Sequence, residues 1–242
     1  MVTHDRLDGV HYFWHQMAAT HSDPESFRHN LNACVQAARN VTFALQSEKE
    51  HIPNFDQWYE QWRTKLRMDP AMAWLHDARN IVVKKGDLET RSKARVLVVA
   101  SYIDLPPLLE TSVDPSMPSE AIAAMALSEM PRALLLSPDA VLVVERSWVV
   151  QGLQAELLDA FAYVYGFLSR IVDSAHEEMK TGRLREYHFP LSGEIIRFPF
   201  ESRDGRMSCM VYTEPYRCLF IDLKNRRAMR PGEGIYVPSD ET

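Results

Sequence analysis

The chain has 242 residues, 46% apolar and 25% charged, enough for one large domain or two small ones with a substantial core. A formal charge of −6 and a pI near 5.9 argue against a broad polyanion binder, because such binding is driven by cationic side chains that displace counterions. Three scattered cysteines, Cys34, Cys209 and Cys218, lack CxxC spacing, which argues against a disulfide framework and a structural zinc site.

The first ninety residues or so read as helices. A short one is expected over His11–Thr20. Ser22-Asp23-Pro24-Glu25 then forms a start signal: a capping residue, proline in the first turn, and acids near the positive end of the helix dipole. The helix it opens carries Phe27, Leu31, Cys34, Val35, Ala38, Val41, Thr42 and Leu45 at three- and four-residue steps, one apolar stripe. A third helix repeats the pattern with Phe55, Trp58, Tyr59, Trp62 and Leu66, and its aromatic spacing reads as core packing rather than a ligand cage. Asp69-Pro70 opens a fourth, which Gly86 ends. Short connections favour antiparallel packing, so residues 1–90 are expected to form a helical bundle.

From residue 94 the texture becomes β-branched. Arg95–Ile103 and Ala140–Glu145 read as strands, with loop material at Leu105-Pro106-Pro107 and Asp114–Pro118, and a helix from Ser119, as cap, to Met130. A second long amphipathic helix is expected over 152–180, with a stripe of Leu153, Leu157, Phe161, Val164, Leu168, Ile171, Ala175 and Met179, widened by Leu158, Tyr165 and Val172. Ile195–Phe200, Met207–Thr213 and Cys218–Leu223 read as a three-stranded antiparallel meander with a tight turn at Arg203-Asp204-Gly205. Fraying is expected over Ser239–Thr242. The predicted architecture is therefore α+β: a bundle at 1–90, central strands and a long helix packed on it at 91–182, and a small β appendage at 183–242. A polar N-terminus and the absence of a long apolar run lead to the expectation of a cytoplasmic protein without a membrane partner.

Chemistry has few footholds. There is no GxxxxGK, GxGxxG, HExxH or GxSxG, and nine glycines leave little material for backbone phosphate cradles, so no cofactor or metal is expected. The basic cluster Lys224, Arg226, Arg227 and Arg230 reads as a solvated strand end. His176-Glu177-Glu178 diverge by roughly 100° per residue and read as a helix end rather than a ligand set. The tripeptide Ala-Arg-Asn occurs twice, at 38–40 and 78–80.

The segment Trp74-Leu-His-Asp-Ala-Arg-Asn-Ile-Val-Val-Lys-Lys-Gly-Asp-Leu88 resembles the signature helix of the HEPN superfamily, helical bundles that include RNA-cleaving toxins and nucleotide-binding partners. In that pattern arginine and a polar residue precede a histidine by a few positions. Arg79 and Asn80 match the first two, while Lys84 or Lys85 stands at the histidine position. Arg170 and His176 have a similar spacing, but Ile171 follows the arginine.

The resemblance implies phosphate or RNA binding by Arg79, Asn80, Lys84 and Lys85, with Arg79 and Asn80 as the catalytic candidates, and assembly as a homodimer. Histidine transfers protons near neutral pH, whereas lysine titrates near 10.4. The expectation is therefore a binding protein for a nucleotide, an RNA or a protein partner. The alternatives are a metal-independent endoribonuclease with a non-standard base, for which His76 is placed three residues before Arg79, and a purely structural protein using the meander as its contact surface.

Overall fold

The computed structural model describes residues 2–100, 103–104, 109–130, 140–179, 184–188, 195–199, 210, 213–223 and 227–229. The fold is α+β. In chain order the elements are α1 (Val2–Ala19), α2 (Pro24–Ser47), α3 (Phe55–Met68), α4 (Pro70–Lys84), β1 (Thr90–Ala100), β2 (Ile103–Asp104), β3 (Leu109–Val113), α5 (Ser119–Glu129), β4 (Ala140–Val150), α6 (Leu157–Glu178), β5 (Leu184–His188), β6 (Ile195–Pro199), β7 (Cys218–Asp222) and β8 (Arg227–Met229). They divide into two compact units drawn from interleaved segments: 1–16, 29–88 and 152–211 in the first, and 17–28, 89–151 and 212–242 in the second.

The first unit is a helical bundle. Every residue of the α2 stripe from Leu31 to Leu45 is buried, Cys34 among them, and burial pushes the Cys34 thiol up. α6 is buried on most of its circumference from Leu157 to Ala175, as its broad stripe requires. Indoles tie the other helices to it. Trp14 of α1 donates to the Leu158 carbonyl at 2.8 Å, and Trp58 and Trp62 of α3 donate to one Ser174 hydroxyl at 3.0 and 3.2 Å. Trp74 of α4 meets Phe161 edge-on, with ring centres 6.0 Å apart. A buried indole needs a partner for its N–H, so these bonds fix helix register as well as area. The width of the α6 stripe is thus consumed by this chain's own helices.

α1 begins nine residues before the expected His11. Leu7, Val10, Trp14 and Met17 are buried at helical spacing, and the first turn is capped from a distance. The Glu48 carboxylate accepts from the Val2 N–H at 2.6 Å and from the Thr3 hydroxyl at 2.6 Å. Asp69 caps α4, its Oδ1 accepting from the Ala71 and Met72 N–H groups at 3.0 Å. At the other end Gly86, at φ 116°, lets its N–H turn back to the Ile81 carbonyl at 3.2 Å.

The second unit is built on a six-stranded sheet in the order β2-β1-β4-β7-β8, with β3 also paired to β1. β1 and β4 pair antiparallel from Thr90↔Val150 to Ala100↔Ala140. Alternate residues, Ala94, Val96 and Val98 of β1 with Ala140, Leu142 and Val144 of β4, face Ile122 and Ala123 of α5. β4 outruns the expected end at Glu145 because Arg146 stays on this inner face, fully buried. α5 is entered through Pro118 rather than a Ser119 cap, and Ser119 instead donates its N–H to the Ser22 carbonyl at 3.0 Å.

Of the expected C-terminal strands, Ile195–Pro199 pairs with β5, and Cys218–Asp222 joins the larger sheet beside β4. Within 207–213 only Met210 and Thr213 are described, neither in a strand. Cys209, the 203–205 turn, Leu105-Pro106-Pro107, Lys224, Arg226, Arg230 and residues 239–242 lie outside the described residues.

Candidate anion site on the helical bundle

α4 buries Met72, Leu75 and Ala78, which places Arg79 at the rim of its apolar stripe. α2 buries Val35, Ala38, Val41 and Thr42, which places Arg39 at the equivalent rim. Both guanidiniums reach one aromatic ring: the Arg39 carbon Cζ lies 5.2 Å from the Phe43 centroid and that of Arg79 lies 5.7 Å from it. Phe43 is 43% exposed, so the ring and its two cations border solvent.

Among the described residues neither arginine forms an ion pair, and no metal-binding cluster occurs. Arg39 makes a long 3.4 Å contact to the Thr42 hydroxyl, and its buried Nε–H has no acceptor. Among the described residues, Arg79 hydrogen-bonds just the Asn80 amide oxygen, at 3.5 Å. Burial lowers the Arg39 pKa; Tyr59 opposes the shift, and the like charge of Arg79 reinforces it. Tyr59 itself is raised by burial, against the pull of Arg39, and its hydroxyl accepts from the Gln46 amide at 3.1 Å. Two cations held together without a counter-ion make a pair of forked donors suited to a tetrahedral or planar oxyanion.

Four residues were expected here, and the structure gathers two. Asn80 sits beside Arg79, but Lys84 and Lys85 are exposed at the last turn. Lys84 lies five residues beyond Arg79, about 140° around the helix, so the two do not share a face. His76 is exposed and contacts its neighbour Asp77, Nδ1 to Oδ1 3.2 Å. Arg170 rests on Phe167, while the His176 ring stacks on His4, with the two Nε2 atoms 2.7 Å apart. Sequence reasoning missed Arg39 and Phe43. The available signal was the repeated Ala-Arg-Asn, in which each alanine is buried and each arginine follows it to the stripe's rim.

A family model described as bacteriophage lambda protein ea47 matches residues 1–234. Protein ea47 of Escherichia phage lambda is 38% identical over 154 residues, which are 61% of this chain and 36% of that protein. The chain thus aligns with little more than a third of its curated relative. None of the solved structures matches. No helix among the described residues is long and apolar enough to cross a membrane.

These findings correct the HEPN kinship drawn from Trp74–Leu88, since the match along nearly the whole chain is to a different family. The arginine–asparagine pair that suggested it is too short to specify ancestry, and its partner in space is a second arginine rather than a histidine. The chain belongs to the family of bacteriophage lambda protein ea47.

Proposed function

We propose that this chain is a non-catalytic binding protein whose helical bundle receives a phosphate-bearing ligand between Arg39 and Arg79. The observation that carries the reading is the pair of partly buried arginines on Phe43, neither of which, among the described residues, pairs with a carboxylate, and one of which has a buried Nε–H without an acceptor there. Such an arrangement carries a repulsion and a desolvation cost that an incoming oxyanion removes. The net charge of −6 favours a compact ligand of nucleotide size over a long nucleic acid, which would meet the acidic remainder of the surface. His76, the proton-transfer candidate, contacts Asp77, which supports binding over proton transfer at Arg79.

The test is calorimetric titration with ADP and with inorganic pyrophosphate. Saturable binding that weakens about tenfold or more in Arg39→Gln and in Arg79→Gln supports the reading. Equal affinity in wild type and both variants removes it. Incubation with tRNA separates the ribonuclease alternative: cleavage that vanishes in Arg79→Ala would replace binding by catalysis.

A further inference from the structure

A cleft of about 520 Å³ opens elsewhere on the bundle, where the end of α3 turns into α4 beside α6. Trp62, Lys65 and Met68 line it from α3, Pro70 from the start of α4, and Phe167 and Arg170 from α6. Its volume falls within the range usual for small-molecule sites, roughly 300–1,000 Å³. The aromatic wall is fixed. Trp62 donates its indole N–H to Ser174 and meets Phe167 edge-on, ring centres 6.2 Å apart and planes 78° apart. Met68 is 78% exposed and offers an adaptable thioether over the opening.

The charges of this cleft are unbalanced. Lys65 Nζ rests 4.2 Å from the Trp62 centroid and Arg170 Cζ 5.3 Å from the Phe167 centroid, so both cations are parked on ring faces. The carboxylate among the lining residues, Asp69, is already engaged: one oxygen caps α4 through two N–H groups, and the other accepts from the Tyr163 hydroxyl. Tyr163 also interacts with Arg170, so Asp69 offsets one of the two cations and the lining keeps one positive charge in excess. A cationic ligand would meet this excess positive charge, and a neutral one would leave it unanswered.

We infer that this cleft is a second ligand site that takes a small aromatic anion, its flat ring against Trp62, Phe167 and Met68 and its acidic group held by Lys65 and Arg170. The inference stands independently of the Arg39–Arg79 site, with which it shares no residue. Aromatic contact supplies the apolar part of the affinity, and the two cations select charge.

The test follows the indole N–H signals of the full ¹⁵N-labelled chain, with Trp62→Phe used to assign the Trp62 resonance. Titration with 2-naphthoate is expected to move that signal saturably, and the neutral 2-naphthamide to bind about tenfold more weakly. Lys65→Gln and Arg170→Gln, both substitutions of exposed side chains, are each expected to weaken naphthoate about tenfold. Arg79→Gln is expected to leave the titration unchanged, which separates this site from the one proposed above. A Trp62 signal that stays in place, equal binding of acid and amide, or indifference to both charge removals would overturn the inference.

Discussion

The guanidinium of Arg146 lies 4.0 Å from the ring centre of Trp148, two residues further along β4 on the inner face of the sheet. Both side chains are buried, and each ties the strand to a different piece of chain. Arg146 donates from Nε to Ser92 at 2.8 Å and from Nη1 to the Met117 carbonyl at 2.6 Å, with Nη2 3.2 Å from the Pro115 carbonyl. Trp148 donates to the His21 carbonyl at 3.0 Å and stacks on Phe27, with centroids 4.9 Å apart. Burial pushes Arg146 down to about 10, partly offset by Glu120 and Asp114, so it remains charged at neutral pH and is satisfied by carbonyl dipoles rather than by an acid.

Arg146→Met is expected to destabilise the protein by about 3 kcal/mol, because the carbonyls of the 114–117 loop lose their donor inside the structure. Urea denaturation followed by tryptophan fluorescence measures this. A loss under about 0.5 kcal/mol would show that the loop is held by something else.

The Arg39–Arg79 pair predicts the opposite sign. Replacing Arg79 by Gln removes a like charge from beside Arg39 and leaves no buried acid behind, so stability without ligand is expected to hold or rise by about 0.5 kcal/mol. A structural arginine closing the bundle would instead cost about 1–2 kcal/mol on removal. Chemical denaturation of the two proteins in phosphate-free buffer decides between them.

The remote cap on α1 has its own signature. Glu48→Gln is expected to cost about 1 kcal/mol and to speed hydrogen exchange over the first turn of α1, with little change in α4. Burial, which raises the Glu48 carboxyl, is outweighed by the Thr3 hydroxyl and the first backbone N–H groups, leaving it below its usual value. The folded pKa is the lower one, so this contribution is complete above the unfolded value near 4.5 and fades as pH falls through the folded pKa. Unchanged exchange at Thr3 and His4 in the variant would count against the cap.

His11 predicts a pH response at milder acidity. Burial and the charge of His15, whose Nε2 is 3.1 Å from that of His11, lower its pKa from 6.5 despite Asp8. The folded protein therefore binds fewer protons than the unfolded chain, and this stability is full above pH 6.5 and declines as pH falls through the lower folded pKa. His11→Gln is expected to flatten the slope of stability against pH just below that value. The same slope in both proteins would assign the response to another group.

How much of this was legible depended on whether the cause was local. The α2 stripe was read correctly, residue by residue, because a three-and-four spacing of apolar side chains has one geometric meaning. Asp69-Pro70 and Gly86 marked the bounds of α4 for the same kind of reason: the cap and the left-handed turn act within a few residues. The start of α1 was misplaced because its cap is a carboxylate more than forty residues away. The end of β4 was misplaced because Arg146 reads as polar and exposed until its carbonyl partners are seen.

The candidate site divides along the same line. Arg79 and Asn80 could be singled out from a short pattern, though the ancestry inferred from it was wrong. Lys84 fell away because five residues along a helix turn a side chain off the face, a fact periodicity already contained. Arg39 and Phe43 could only be found in space. Sequence by itself determined the helical stripes, the Asp69 cap and Gly86 turn of α4, and the alternation of β1 and β4, since each follows from backbone geometry and side-chain polarity over a few residues. Tertiary structure alone decided that two arginines forty residues apart share one ring and that, among the described residues, no acid pairs with either, because charge balance is a property of packed neighbours and not of chain order.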